Sequence, residues 1–249
     1  MANYYYSGQG SLYIAERDAT TGKPKGFIPV GNVPELSIDI EITKFEHKES
    51  ESGNRLLDLS IVKEKKGKFK FKLENLTLDN LALGLYGEKA TVALGNVTGE
   101  NVIAYKGKKL ALAHPDVSSI VVKDDGDITT YVLDTDYTVD AKNGTITVLA
   151  TSAIVELDVL HVAYSHAAYT NLEAFTSAAS PERFLRFEGL NTVDNSTVII
   201  DMYRASFDPL TNYGLINEEL AAVDMAGSLL ADSLVTSGSQ FFRQRNVAA

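Results

Sequence analysis

Two segments alternate strictly between apolar and polar residues: Glu35-Leu36-Ser37-Ile38-Asp39-Ile40-Glu41-Ile42 and Lys68-Phe69-Lys70-Phe71-Lys72-Leu73. A period of two is that of a half-buried strand. Ile38, Ile40 and Ile42 are expected to face a core, with Ser37, Asp39 and Glu41 in water. Phe69, Phe71 and Leu73 repeat the pattern opposite Lys68, Lys70 and Lys72. The two wet faces therefore carry opposite signs, which suits neighbouring antiparallel strands because cross-strand charge pairs are mildly favourable. Between them, Thr43 to Gly67 forms a connection of about 25 residues, far beyond the two to five of a hairpin loop, and loops of that length in a compact domain are commonly functional.

The same signals place the other elements. Ser11 to Ala15 and Gly26 to Val30 read as a hairpin around the turn chemistry of Asp18 to Pro24. Asn75 to Gly87 holds one short helix, capped by Thr77, striped by Leu78, Leu81 and Leu85 and stopped by Gly87. From Val97 to His166 the texture changes to short β-prone runs: Ile120-Val122, Thr130-Leu133, Tyr137-Val139, Thr145-Leu149 and Val159-Tyr164. Asp125-Gly126 and Asn143-Gly144 supply tight turns between them. This stretch predicts a small all-β module, 97–166, inserted into a discontinuous domain of 1–96 and 167–249. Arg183-Gly189 and Ser196-Phe207 resume the earlier pattern, turning at Asn191 to Asn195. Residues 218–233 fit helix or strand equally. The tail from Thr236 carries Phe241, Phe242, Arg243 and Arg245 and is expected to be poorly buried by its own domain and to dock on a neighbour.

Composition narrows the function. A net charge of −10 excludes a general nucleic-acid binder, which needs a basic surface to neutralise phosphate. The absence of cysteine removes disulfides, thiolate chemistry and zinc-thiolate sites. The N-terminus lacks the basic head and apolar run of a secretory signal, and no 18-residue apolar stretch occurs, so synthesis and folding in a cytoplasm and no membrane partner are expected.

Candidate chemistry is sparse. On a strand regular to its end, His161 and His166 are five apart, point to opposite faces and cannot share a metal. Asp124-Asp125-Gly126-Asp127 lacks the later ligands of a calcium loop and reads as an acidic turn. No nucleophile elbow, phosphate loop or dinucleotide fingerprint occurs, so the expectation is no enzyme and no cofactor or metal. Tyr4, Tyr5 and Tyr6 read as an anchoring segment at an interface. The connection from Thr43 to Gly67 holds six bases and five acids around the apolar run Leu56-Leu57-Asp58-Leu59-Ser60-Ile61-Val62. Aliphatic residues beside charges of both signs suit a protein interface better than a solvated linker. The candidate contact residues are Lys48, Arg55, Leu56, Leu57, Leu59, Lys63, Lys65 and Lys66, docking on a copy of the chain or on a partner.

Ordered motifs carry a resemblance. Tyr6-Ser7-Gly8-Gln9-Gly10-Ser11 leads to Asp18, Gly22 and Pro24, then Val30-Gly31-Asn32-Val33 and the alternating strand. His47-Lys48-Glu49-Ser50, Gly53-x-Arg55, Phe71-x-Leu73-Glu74-Asn75, Arg186-Phe187-Glu188-Gly189-Leu190-Asn191 and Gly227-Ser228-Leu229-Leu230-Ala231-Asp232 follow. Over residues 6–95 and 167–242 the chain resembles the major tail tube proteins of bacteriophages with long non-contractile tails. The intervening module resembles the immunoglobulin-like decorations of phage structural proteins. The resemblance implies a mainly β fold, an antiparallel β-sandwich or partial barrel with one short flanking helix, stacked as hexameric rings around a channel for DNA. It implies that long loop and terminal arms bridge rings, that Asp39, Glu41, Lys70 and Lys72 face lumen or solvent, and that tape measure, terminator and distal tail proteins are partners in a virion. DNA would pass without specific binding, since an acidic wall repels it. A carbohydrate- or cell-surface-binding β module is the rival reading; it predicts a stable monomer that binds glycans.

Overall fold

The structure is a computed structural model that describes residues 5–177 and 179–248. Strands make up 52% of the chain and helix 3%. In chain order the elements are β1 (Gly8–Ala15), β2 (Ile28–Gly31), β3 (Glu35–Lys48), β4 (Leu57–Leu73), α1 (Leu78–Leu85), β5 (Glu88–Val92), β6 (Gly95–Ile103), β7 (Lys109–Ala111) and β8 (Val117–Asp124). They continue with β9 (Tyr137–Asp140), β10 (Thr145–Val148), β11 (Val159–His166), β12 (Tyr169–Glu173), β13 (Glu182–Asn191), β14 (Thr197–Phe207), β15 (Val223–Leu229) and β16 (Phe242–Val247). The chain divides into two compact units, Met1–Glu88 with Leu172–Ala249, and Lys89–Asn171. The second is wider than the 97–166 span read from the sequence.

The first unit is an antiparallel β-sandwich with one short helix. Its eight-stranded sheet runs β2-β1-β13-β14-β15-β4-β3, and β16 joins β14. β14 is the fork. One edge pairs with β13, while the other is shared between β16, at Thr197 to Met202, and β15, at Ala205 to Phe207. The limbs on either side of the fork enclose one core, in which Leu12, Leu185 and Met202 meet Phe69, Phe71 and Met225. Phe207 sits at the junction, edge-on to Phe69 at 5.1 Å and to Phe71 at 6.3 Å between ring centroids.

The local rules hold at the expected places, with shifts of detail. The Asp18 carboxylate accepts the N–H groups of Thr20 and Thr21, at 3.1 and 2.8 Å, and closes the β1–β2 turn. The Thr77 hydroxyl caps α1 by accepting from the Asn80 N–H at 3.2 Å. The helix ends on Tyr86 in a left-handed conformation, φ 50°, one residue before the glycine assigned that stop. Its buried face is Asn80, Leu81, Leu83 and Gly84, whereas Leu78 is exposed. The reason is Leu210, packed against Gly84, together with the Asn80 amide, which donates to the carbonyls of Val30 and Asn75. Within the ambiguous segment 218–233, Val223 to Leu229 form strand, pair with β4 and send alternate residues into the core, and the rest is irregular.

The second unit has two three-stranded antiparallel sheets, β7-β10-β9 and β6-β11-β8. They enclose a separate core built on Val122, Ile146, Val148, Ile154, Leu160 and Val162. Gly144, at φ 58°, turns β9 into β10. Thr130 to Leu133 contributes only isolated bridges at Thr130 and Leu133 rather than a strand. Asp136 is the cause, since its carboxylate accepts the Val132 N–H at 2.9 Å and turns the chain there.

Candidate functional site: a two-stranded arm

The connection from Thr43 to Gly67 is an extension of the sheet rather than a loop. β3 and β4 stay paired from Glu35↔Lys72 out to Lys48↔Leu57, so only the tip from Glu49 to Leu56 is loop. Alternating β-branched residues favour this pleated form, and opposite charges face each other at Glu35↔Lys72, Asp39↔Lys68 and Glu41↔Lys66. Lys70 lies 3.1 Å from Asp39 and Lys66 3.0 Å from Glu64. Asp39, Glu41, Lys70 and Lys72 are all exposed, on the wet side of the ribbon.

Glu49 builds the tip. Its carboxylate accepts the N–H groups of Glu51, Ser52 and Leu56, at 2.7, 2.8 and 3.2 Å, together with the Ser52 hydroxyl. The Ser52 bonds above all hold its pKa down at about 2. Gly53 and Arg55 take positive φ, 76° and 50°, to complete the reversal.

The body of the sheet covers only the base of this ribbon. β15 pairs with β4 from Leu73 to Gly67 and ends there. Beyond that point, Leu57 to Lys66 are exposed at every position, and among the described residues no third strand flanks them. Ile40 and Ile42 therefore depart from the expectation that they face the core. They share the period of Ile38, but no layer lies across from them. Ile40, Ile42, Phe45, Leu56, Leu57, Leu59, Ile61 and Val62 each remain between 42% and 65% exposed. The basic residues assigned to this region sit among them: Lys48 pairs with Leu57, Lys65 with Ile42 and Lys66 with Glu41. The Lys63 ammonium lies 5.1 Å from the centre of the Phe45 ring, and His47 Nδ1 lies 2.7 Å from Asp58 Oδ1.

The termini behave differently from one another. Tyr5 and Tyr6 are exposed, while Tyr4 lies outside the described residues. Phe241 and Phe242 correct the expectation of a poorly buried tail, because both pack partly against the first core. The tail is held there as β16, paired with β14 from Thr197↔Val247 to Met202↔Phe242. Asp201, nearly buried beneath it, accepts from Arg245 and has Arg186 Nη1 and Arg243 Nη2 at 3.5 and 3.7 Å. A spacing of two between Arg243 and Arg245, opposite a strand carrying the single acid Asp201, was the available signal for this ladder.

The histidines lie apart. His161 sits between Asp125 and Asp127, at 3.4 and 3.3 Å, while His166 stacks on His114 with 3.9 Å between ring centroids. Among the described residues, no group of three or more histidine, aspartate or glutamate side chains is placed to hold a metal. No helix among them is long and apolar enough to cross a membrane.

Residues 5–245 match the model of the family described as Protein of unknown function UCP028589, and the chain belongs to that family. No curated protein matches it.

Proposed function

We propose that this member of the family is a structural subunit that polymerises with copies of itself into a phage tail tube of the long, non-contractile kind. In this reading it forms stacked, hexameric rings around a channel through which DNA passes without specific binding. Tape measure, tail terminator and distal tail proteins are its partners, and assembly takes place in the host cytoplasm. The observation that carries the proposal is the arm. A folded subunit with a well-filled core of its own still holds eight large apolar side chains in water on a ribbon with unpaired edges. Completing the burial of half a side chain gains about 1 kcal/mol, so covering all eight offers roughly 8 kcal/mol per arm before the cost of association. The order of sequence motifs and the acidic balance support the same reading.

Negative-stain microscopy with sedimentation across a concentration series tests it. Rings or tubes are expected, alone or with the other tail components. A species that stays monomeric throughout, with those components present, would overturn the proposal. A monomer that binds glycans would favour the surface-binding alternative.

A further inference from the structure

The arm carries exposed apolar side chains on both of its faces. β3 has no inserted residue, so Ile38, Ile40 and Ile42 share one face, and Phe45 and His47 occupy the other. β4 sets apolar residues beside Phe45 and His47 only because its register shifts. Thr43 pairs with Glu64, but Lys44 pairs with Val62, leaving Lys63 as an extra residue in a bulge. That bulge sets Ile61 opposite Phe45 and Leu59 opposite His47. Without it, Ile61 and Leu59 would fall on the face opposite Phe45. Near its base the ribbon is apolar on the Ile40/Ile42 face and bears the Glu41↔Lys66 and Thr43↔Glu64 pairs behind. Further out the Phe45/Leu59/Ile61 face is apolar, while the Ile40/Ile42 face carries Val62 and Leu57 among charges in the Lys44↔Val62, Glu46↔Ser60 and Lys48↔Leu57 pairs.

We infer that the two stripes seat two different copies of the chain, one against each face of the ribbon. A body packed on one side of a single two-stranded layer cannot reach side chains on the other side. The occupants are copies of the chain because the charge fits. Ile40 to Gly67, the span that holds both stripes, carries six bases and six acids, so the whole −10 of the chain lies elsewhere and a neutral arm escapes the repulsion that two acidic bodies exert on each other. The inference rests on the proposed self-assembly and adds that each arm makes two separate contacts, with the Lys63 bulge setting their relative facing.

Two double variants test it, Ile40→Ser with Ile42→Ser and Phe45→Ser with Ile61→Ser, each compared with wild type by circular dichroism, sedimentation and microscopy. All four side chains are exposed, so both variants should fold as wild type does. Each should raise the concentration needed for assembly at least about tenfold. The two should also arrest as different species, because each loses a different neighbour. The same arrested species from both variants, or normal assembly by either, overturns the inference while leaving self-assembly intact. A wild-type chain that never assembles overturns the proposed function itself and is recognised before either variant is compared.

Discussion

Arg17 grips Asp232 across 215 residues of chain, with Nε donating to Oδ2 at 2.8 Å and Nη2 to Oδ1 at 2.6 Å. The pair fastens the turn between β1 and β2 to the segment that follows β15. The Arg17 hydrogen bonds hold the Asp232 carboxyl below its ordinary range, against the opposing effect of burial, and its side chain is 1% exposed. Arg17→Leu leaves that carboxylate buried without its partner and should cost about 3 to 5 kcal/mol in urea unfolding at neutral pH. A depressed native pKa gives stability that is complete above the unfolded carboxylate value, about 4, and is lost as pH falls through the native one. The variant should therefore lose stability less steeply than wild type on acidification. A loss under about 1 kcal/mol would mean that the pair is ornamental to the fold.

Gly227 marks the closest approach at the fork. A Cβ there would stand 2.1 Å from the Ser206 carbonyl oxygen and 2.6 Å from the Phe69 ring. Gly227→Ala should destabilise by about 3 kcal/mol or more, since a backbone oxygen cannot move aside as a flexible side chain does. Thermal unfolding measures it, and an unchanged midpoint would show that the two limbs can separate freely.

Leu56, Leu57 and Leu59 lie in the open on the arm. Replacing all three with serine should change monomer stability by no more than about 0.5 kcal/mol per site, the usual range for exposed positions. The same variant should fail to form rings or tubes. Denaturant melts and microscopy together decide it. Normal tubes would make the leucines bystanders, and a large loss of stability would place them in the subunit's own packing.

Glu49 titrates at about 2 because the tip hydrogen-bonds its ionised form. Its contribution is full above the unfolded value, about 4.5, and fades as pH falls towards 2. Between these values the tip should loosen before the body of the sheet. Carboxyl chemical shifts followed against pH should give a low midpoint for Glu49, and Glu49→Gln should show faster amide exchange at Ser52 and Leu56 at neutral pH. An ordinary midpoint would mean that the tip is not built on this carboxylate.

The alternation in Glu35 to Ile42 and Lys68 to Leu73 determined by itself that these strands pair with opposite charges facing each other, because a period of two and side-chain charge are properties of the chain alone. Turn and cap chemistry at Asp18, Thr77 and Gly144 was legible for the same reason: each acts on backbone a few residues away. What lies across from a strand is set by other elements. Ile38 and Ile40 are the same residue type on the same face, yet only Ile38 reaches the core, because β15 ends opposite Gly67. Tertiary pairing turned 223–229 into strand by giving it β4 as a partner. It also drew Phe241 and Phe242 inward, by pairing β16 with β14, and the arginines on the other face of that strand meet Asp201. The Lys63 bulge belongs to this second class. Neither strand specifies a register alone, and only their pairing decides which face of the arm each apolar side chain occupies.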